Sequence, residues 1–168
     1  MSAFALKIIA MVTMFIDHLF ASCIDPYGVD VWNISRHIVP GTGTTLYWIG
    51  RMIGRIAFPI FCFQIVEGVR YTKNWKRYMA RLALLALISE IPFDLMYGGT
   101  WFYPIHQNVI WTLLIGLSGI HLMEKTRKKQ KLTIFLPTAV LVVLVGNALG
   151  TVGMADYYGA GVLTLFIF

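Results

Sequence analysis

The stretch Ile49–Asp94, IGRMIGRIAFPIFCFQIVEGVRYTKNWKRYMARLALLALISEIPFD, decides how the chain is read. It holds two apolar runs of membrane-spanning length joined by a basic hairpin. Each run carries two like charges four residues apart, Arg51 with Arg55 and Glu90 with Asp94. Four residues is slightly more than one helical turn, so each pair occupies one helix face. Charge on a helix face in lipid is expensive, and it persists where it meets an opposite charge, a wet cavity or both. Function is expected here.

The bulk composition agrees with a membrane location. The chain has 168 residues, 58% hydrophobic and 13% charged, with mean hydropathy +0.70, far from the half-apolar, quarter-charged average of soluble domains. The expected fold is all-α, a polytopic membrane helical bundle forming a single transmembrane domain over residues 1–168. The net charge of +6 does not point to nucleic acid, because the basic residues gather in two short loops between apolar runs. Cys23 and Cys62 fit no metal or redox spacing, and no metal site or disulfide is expected. The N-terminal run reads as an uncleaved first helix rather than a signal peptide, because Asp17 and His18 lie inside it.

With roughly 20 apolar residues per crossing, spans are expected near 3–22, 45–67, 78–98, 107–124 and 132–151, with a partial sixth beginning near Tyr157. The sixth is too short to cross; truncation of a longer chain is the preferred reading, and packing against a partner is another. The loop after the second span carries Arg70, Lys73, Lys76, Arg77 and Arg81, and that after the fourth carries Lys125, Arg127, Lys128, Lys129 and Lys131. The positive-inside rule places both loops and the N-terminus in the cytoplasm, and the 23–44, 99–106 and 152–156 loops outside. Counting 1.5 Å per residue from the outer helix ends, Asp17, His18, Arg51, Arg55, Glu90 and Asp94 all fall about 6–15 Å deep, in the outer half. Tyr103, His106, Gln107, Asn108 and Asp156 lie in or beside the outward loops, so a convergent extracytoplasmic pocket is expected. Pro59 cannot donate to the carbonyl of Arg55, nor Pro92 to that of Ile88, so kinks are expected beside the buried charges.

Four blocks, LKIIAMVTMFIDH, IGRIAFPIF through SEIPFDLM, QNVIWTLLIGL and ADYYGAGVL, resemble in order those of the TraX family, whose name-giving member is the F-pilin acetylase. The first block, with LK-x-IA running to a histidine, is also similar to integral-membrane acyltransferases that move acyl groups from cytoplasmic acyl-CoA to extracytoplasmic sugars. The resemblance implies an acetyltransferase of the inner membrane, a pilin N-terminal amine as acceptor, and an essential Asp17. A surface glycan or a lipid headgroup suits the residues equally.

Acyl transfer needs a base for the acceptor and donors for the developing oxyanion. The candidates are neutral His18 as base and Glu90 or Asp94 to orient it or hold the acceptor. Arg51 or Arg55, with Asn108, is placed at the carbonyl oxygen, and Asp17 pairs with an arginine. Acetyl-CoA is the expected co-substrate, its phosphates docking on Arg70, Lys73, Lys76 and Arg77. Each feature has a plainer alternative: an ion-pair set locking spans together, caps at His106, Gln107 and Asn108, an N-cap at Asp156, an exposed pair between Glu67 and Arg70, topology signals only in the basic loops, a chance sequon at Asn33 to Ser35. Two other function classes fit the same charges. One is a proton- or ion-coupled transporter or exporter accessory; the other is a non-catalytic assembly protein clamping a pilin-like helix. Oligomeric state is not written in the chain.

Overall fold

A computed structural model describes residues 2–23, 42–128 and 132–168. Residues 24–41, with the sequon and most of the first loop expected to face outward, and Lys129 and Lys131 of the second basic loop lie outside the described residues. The described residues are all-helical, with seven segments: α1 (Ala3–Cys23), α2 (Thr42–Gly54), α3 (Ala57–Tyr71), α4 (Trp75–Gly98), α5 (Val109–Arg127), α6 (Leu132–Val152) and α7 (Tyr158–Ile167). Among the described residues, three stretches are long and apolar enough to cross a membrane: Ala3–Ala21, Tyr47–Tyr71 and Leu132–Val152. Helices α4 and α5, of 24 and 19 residues, have the length of a crossing but are not among these three. Large apolar side chains such as Phe4, Phe15, Met52, Ile88 and Leu144 are exposed along these helices, as in a protein whose outer solvent is hydrocarbon.

Two compact units are present, residues 1–64 and 65–168, the division falling inside α3. In the first, α1 packs on α2 through two glycines spaced Gly50-x3-Gly54. A Cβ on Gly50 would lie 2.2 Å from Phe20 Cγ, and one on Gly54 would lie 2.0 Å from Asp17 Cβ. Small residues four apart open a groove in which a second backbone can approach, and Phe20 and Asp17 occupy it.

The expected second span, 45–67, is not one helix but two. It breaks at Arg55 and Ile56, where Arg55 N–H still donates to the Arg51 carbonyl at 3.0 Å and Ile56 N–H turns tighter, to Ile53, at 3.2 Å. Pro59 is the physical reason: its ring crowds the Arg55 carbonyl and brings no N–H to it. At Pro92, where a kink is also expected, α4 runs unbroken.

In the second unit α4 packs on α5, and α5, α6 and α7 pack on one another. Helix α4 starts three residues before its expected boundary because Asn74 caps it, accepting from Arg77 N–H at 3.0 Å; Gly99, with φ 62°, ends it. Helix α7 is too short to cross and packs against its own chain. Leu165 presses on Gly116, Phe166 on Gly119, Val162 on Gly146, and the Tyr158 carbonyl lies 2.8 Å from where a Gly150 Cβ would sit. Leu113, Leu117, Val142, Val162 and Leu165 form the buried core.

Candidate functional site

In the first unit the polar residues sit where α1 meets the end of α2. Asp17 is carried into the Gly54 groove, and there its Oδ2 meets Arg51 Nη1 at 2.5 Å, the side chains 13% and 21% exposed. Removing both charges from most solvent makes their attraction strong and the loss of either partner costly. The next residue, His18, points about 100° away, with Nδ1 2.8 Å from the Met14 carbonyl. A carbonyl only accepts, so Nδ1 is the donor in this contact. Arg55, at the helix break, is exposed and forms no ion pair among the described residues.

In the second unit the polar groups gather where α4 ends and α5 begins. Glu90 accepts from the Trp111 indole N–H at 2.7 Å, from the Asn108 side-chain amide and from the Asn108 backbone N–H at 3.4 Å. Asn108 also caps α5, its Oδ1 accepting from Ile110 N–H at 2.9 Å, while its amide donates to the Ala86 carbonyl at 2.9 Å. Both amide hydrogens therefore have acceptors within the protein. Four residues on, Asp94 is 2% exposed; its Oδ2 accepts from Tyr103 N–H at 3.0 Å, and its Oδ1 is buried with no hydrogen-bond partner among the described residues.

The 103–108 loop is clipped to the turn before α7. Gln107 N–H donates to Met154 O and Asp156 N–H to Gln107 O, both at 2.9 Å, a single parallel bridge of β type. Thr112 donates to the Asp156 carbonyl at 2.5 Å. These bonds bring His106 Nε2 to 3.8 Å from Asp156 Oδ1. The Asp156 carboxylate also takes Tyr157 N–H at 3.0 Å, but the N-cap of α7 is Tyr157 itself, without a side-chain capping bond. Met154, Tyr157 and Tyr158 all have left-handed φ, 50°, 64° and 48°. Non-glycine residues rarely adopt such angles, and each costs about 1–3 kcal/mol, which surrounding contacts must hold in place.

At the opposite end of this unit, Arg70 pairs with Glu67 at 3.6 Å and is 67% exposed, while Lys73, Lys76 and Arg77 are exposed about the α3 to α4 turn. Among the described residues, no group of three His, Cys, Asp or Glu is placed to hold a metal ion.

Two of these contacts leave no mark in the sequence. Trp111 and Thr112 look like ordinary residues of an apolar helix, although Trp111, one turn after the capping Asn108, had the spacing to share its acceptor. The Gly50-x3-Gly54 spacing was the available signal for where α1 would dock.

A family model described as "TraX protein" matches residues 2–168. The chain is also similar to a "Probable fimbrial assembly protein FimC, serogroup H1" from Dichelobacter nodosus. The two are 29% identical over 126 residues, which is 71% of this chain and 45% of that relative, so the chain spans under half of the relative's length. No solved structure matches the chain.

Proposed function

The chain belongs to the TraX family, and from that membership we propose an integral-membrane acetyltransferase with a pilus-related role, working on an extracytoplasmic amine or hydroxyl with cytoplasmic acetyl-CoA as donor. A fimbrial assembly protein among its relatives supports the pilus connection. The reading takes α1, the α2–α3 stretch, α4, α5 and α6 as five crossings of the inner membrane, with the N-terminus and the Arg70 to Arg77 turn on the cytoplasmic side.

In this scheme the acceptor N–H or O–H gives its proton to Nε2 of His18 as the acceptor atom attacks the thioester carbonyl. Arg51 or Arg55 faces the oxyanion that forms. The carbon–sulfur bond then breaks, and the proton leaves with the thiolate as free coenzyme A. Glu90 or Asp94 is the group assigned to the acceptor. Asn108 and Trp111 position Glu90, and Asp17 orients Arg51. In a direct transfer Nε2 is the base; in a transfer through an acetyl-histidine Nε2 is the nucleophile that expels the thiolate, and another group takes the acceptor's proton as the acceptor displaces the imidazole.

The single observation that carries the proposal is the 2.8 Å contact of His18 Nδ1 with the Met14 carbonyl, which turns Nδ1 toward the backbone and leaves Nε2 as the ring nitrogen for chemistry. The buried, unpartnered Asp94 Oδ1 favours a second reading, a proton-coupled carrier in which that carboxyl loads and unloads a proton. Thermal unfolding of the purified protein separates the two. Stabilisation by acetyl-CoA or coenzyme A supports the enzyme; a transition that responds to pH or a monovalent cation and not to coenzyme A supports the carrier. Binding of an apolar pilin-like peptide with no response to coenzyme A supports a non-catalytic assembly role.

A further inference from the structure

At the basic end of the second unit a cleft of about 240 Å³ opens between the last turns of α3 and α5, the start of α6 and the end of α7. Its walls include Val69, Phe135 and Phe166, and its charged lining is Arg70, Glu124 and Arg127. Arg70 divides its charge with Glu67, whereas Arg127 is exposed and forms no ion pair among the described residues. Drug-sized ligands occupy pockets of roughly 300–1,000 Å³. A cleft below that range takes a narrow arm rather than a whole nucleotide.

We propose that this cleft is the donor anchor, with the pantetheine arm of coenzyme A lying between Val69, Phe135 and Phe166 and its phosphates held by Arg127 and Arg70. The inference rests on the acetyltransferase reading and adds Arg127, Glu124 and the apolar walls to the basic turn already assigned to the phosphates. Coenzyme A matches this lining group by group. Its diphosphate and ribose phosphate suit two guanidinium forks. The amide N–H groups of its arm suit the Glu124 carboxylate, and its gem-dimethyl and ethylene carbons suit the aromatic and valine walls. The adenine ring stays outside, near Lys73, Lys76 and Arg77. The cleft is an anchor and not the place of transfer. Along α5, Trp111 lies nine residues before Ile120, the first lining residue of that helix, or about 14 Å away.

An anionic phospholipid shares the phosphate-and-apolar chemistry, and the test separates the two. Full-length protein is placed in nanodiscs of phosphatidylcholine alone or with phosphatidylglycerol, and coenzyme A binding is measured by titration calorimetry. In both lipids R127A is expected to bind coenzyme A about tenfold more weakly, the loss of one charge-assisted contact. R127K should keep most of the affinity and R81A, an equal loss of charge outside the cleft, all of it. In the transfer assay R127A should raise KM and leave kcat unchanged. The apo protein's unfolding temperature checks that each variant is folded; if R127A is not, Val69→Trp, which fills the cleft, takes its place. Equal coenzyme A affinity of wild type and R127A, with transfer intact, overturns the anchor alone. So does a variant effect seen only with phosphatidylglycerol. Absence of any coenzyme A binding to the wild type overturns the donor reading and the anchor with it.

Discussion

Asp17 on α1 and Arg51 on α2 meet at 2.5 Å because Gly54, one turn beyond the arginine, has no side chain to hold the two helices apart. The charge pair and the helix contact are thus one feature. A helix carrying a buried charge is placed by the residue that lets it come close.

Gly54→Leu is expected to separate the pair by crowding. Even a Cβ would lie 2.0 Å from Asp17 Cβ, so α1 must shift or rotate, at a cost of about 1–3 kcal/mol from overpacking. Thermal unfolding in detergent measures it; an unchanged transition would show that the helices do not approach here.

The ion pair itself is read by a double-mutant cycle. Asp17→Asn and Arg51→Gln should each destabilise, because each strands a largely buried charge. The double variant should lose less than the sum, with a coupling of about 1–3 kcal/mol. Additive losses would contradict a direct pairing.

Trp111→Phe keeps the ring and removes the N–H that Glu90 accepts at 2.7 Å. The expected loss is about 1.5–3 kcal/mol if Glu90 is ionised, with transfer activity reduced. The same substitution leaving both unchanged would mean that the Asn108 bonds alone hold the carboxylate.

Met154→Gly tests the strained turn. Met154 is 43% exposed and its φ is 50°, so glycine relieves a left-handed penalty of about 1–2 kcal/mol and gives part of it back as unfolded-chain entropy. A net gain of up to about 1 kcal/mol is expected in the unfolding transition; a loss would show that the side chain supports the turn.

Much of the helical plan was legible. The expected spans 3–22 and 132–151 differ by one residue from α1 and α6, because long apolar runs between charged or polar loops leave few alternatives. The break at Arg55 was readable from Pro59. Which arginine would serve Asp17 was not, since that depends on the rotation of two helices about their axes, set by Gly50 and Gly54 against Phe20 and Asp17. The start of α4 was hidden because Asn74, its cap, lies among the basic residues of the loop. Spacing offers Asn108 both as a partner for substrate and as a helix cap; it caps α5, and its amide hydrogens go to Glu90 and Ala86, for side-chain satisfaction is a three-dimensional count that spacing does not contain. The short last helix resembles an interrupted crossing in sequence, and only the glycines of α5 and α6 reveal the surface it fills.

The most direct measurement uses inside-out membrane vesicles containing the full-length protein and its acceptor, supplied with radiolabelled acetyl-CoA on the exposed cytoplasmic face. Label should appear on the acceptor in the vesicle interior with the wild type, and be lost with His18→Ala although that variant inserts normally and still binds coenzyme A. Wild-type transfer by His18→Ala would contradict the assignment of the base, and no transfer by the wild type to any amine or hydroxyl acceptor would contradict the enzyme itself.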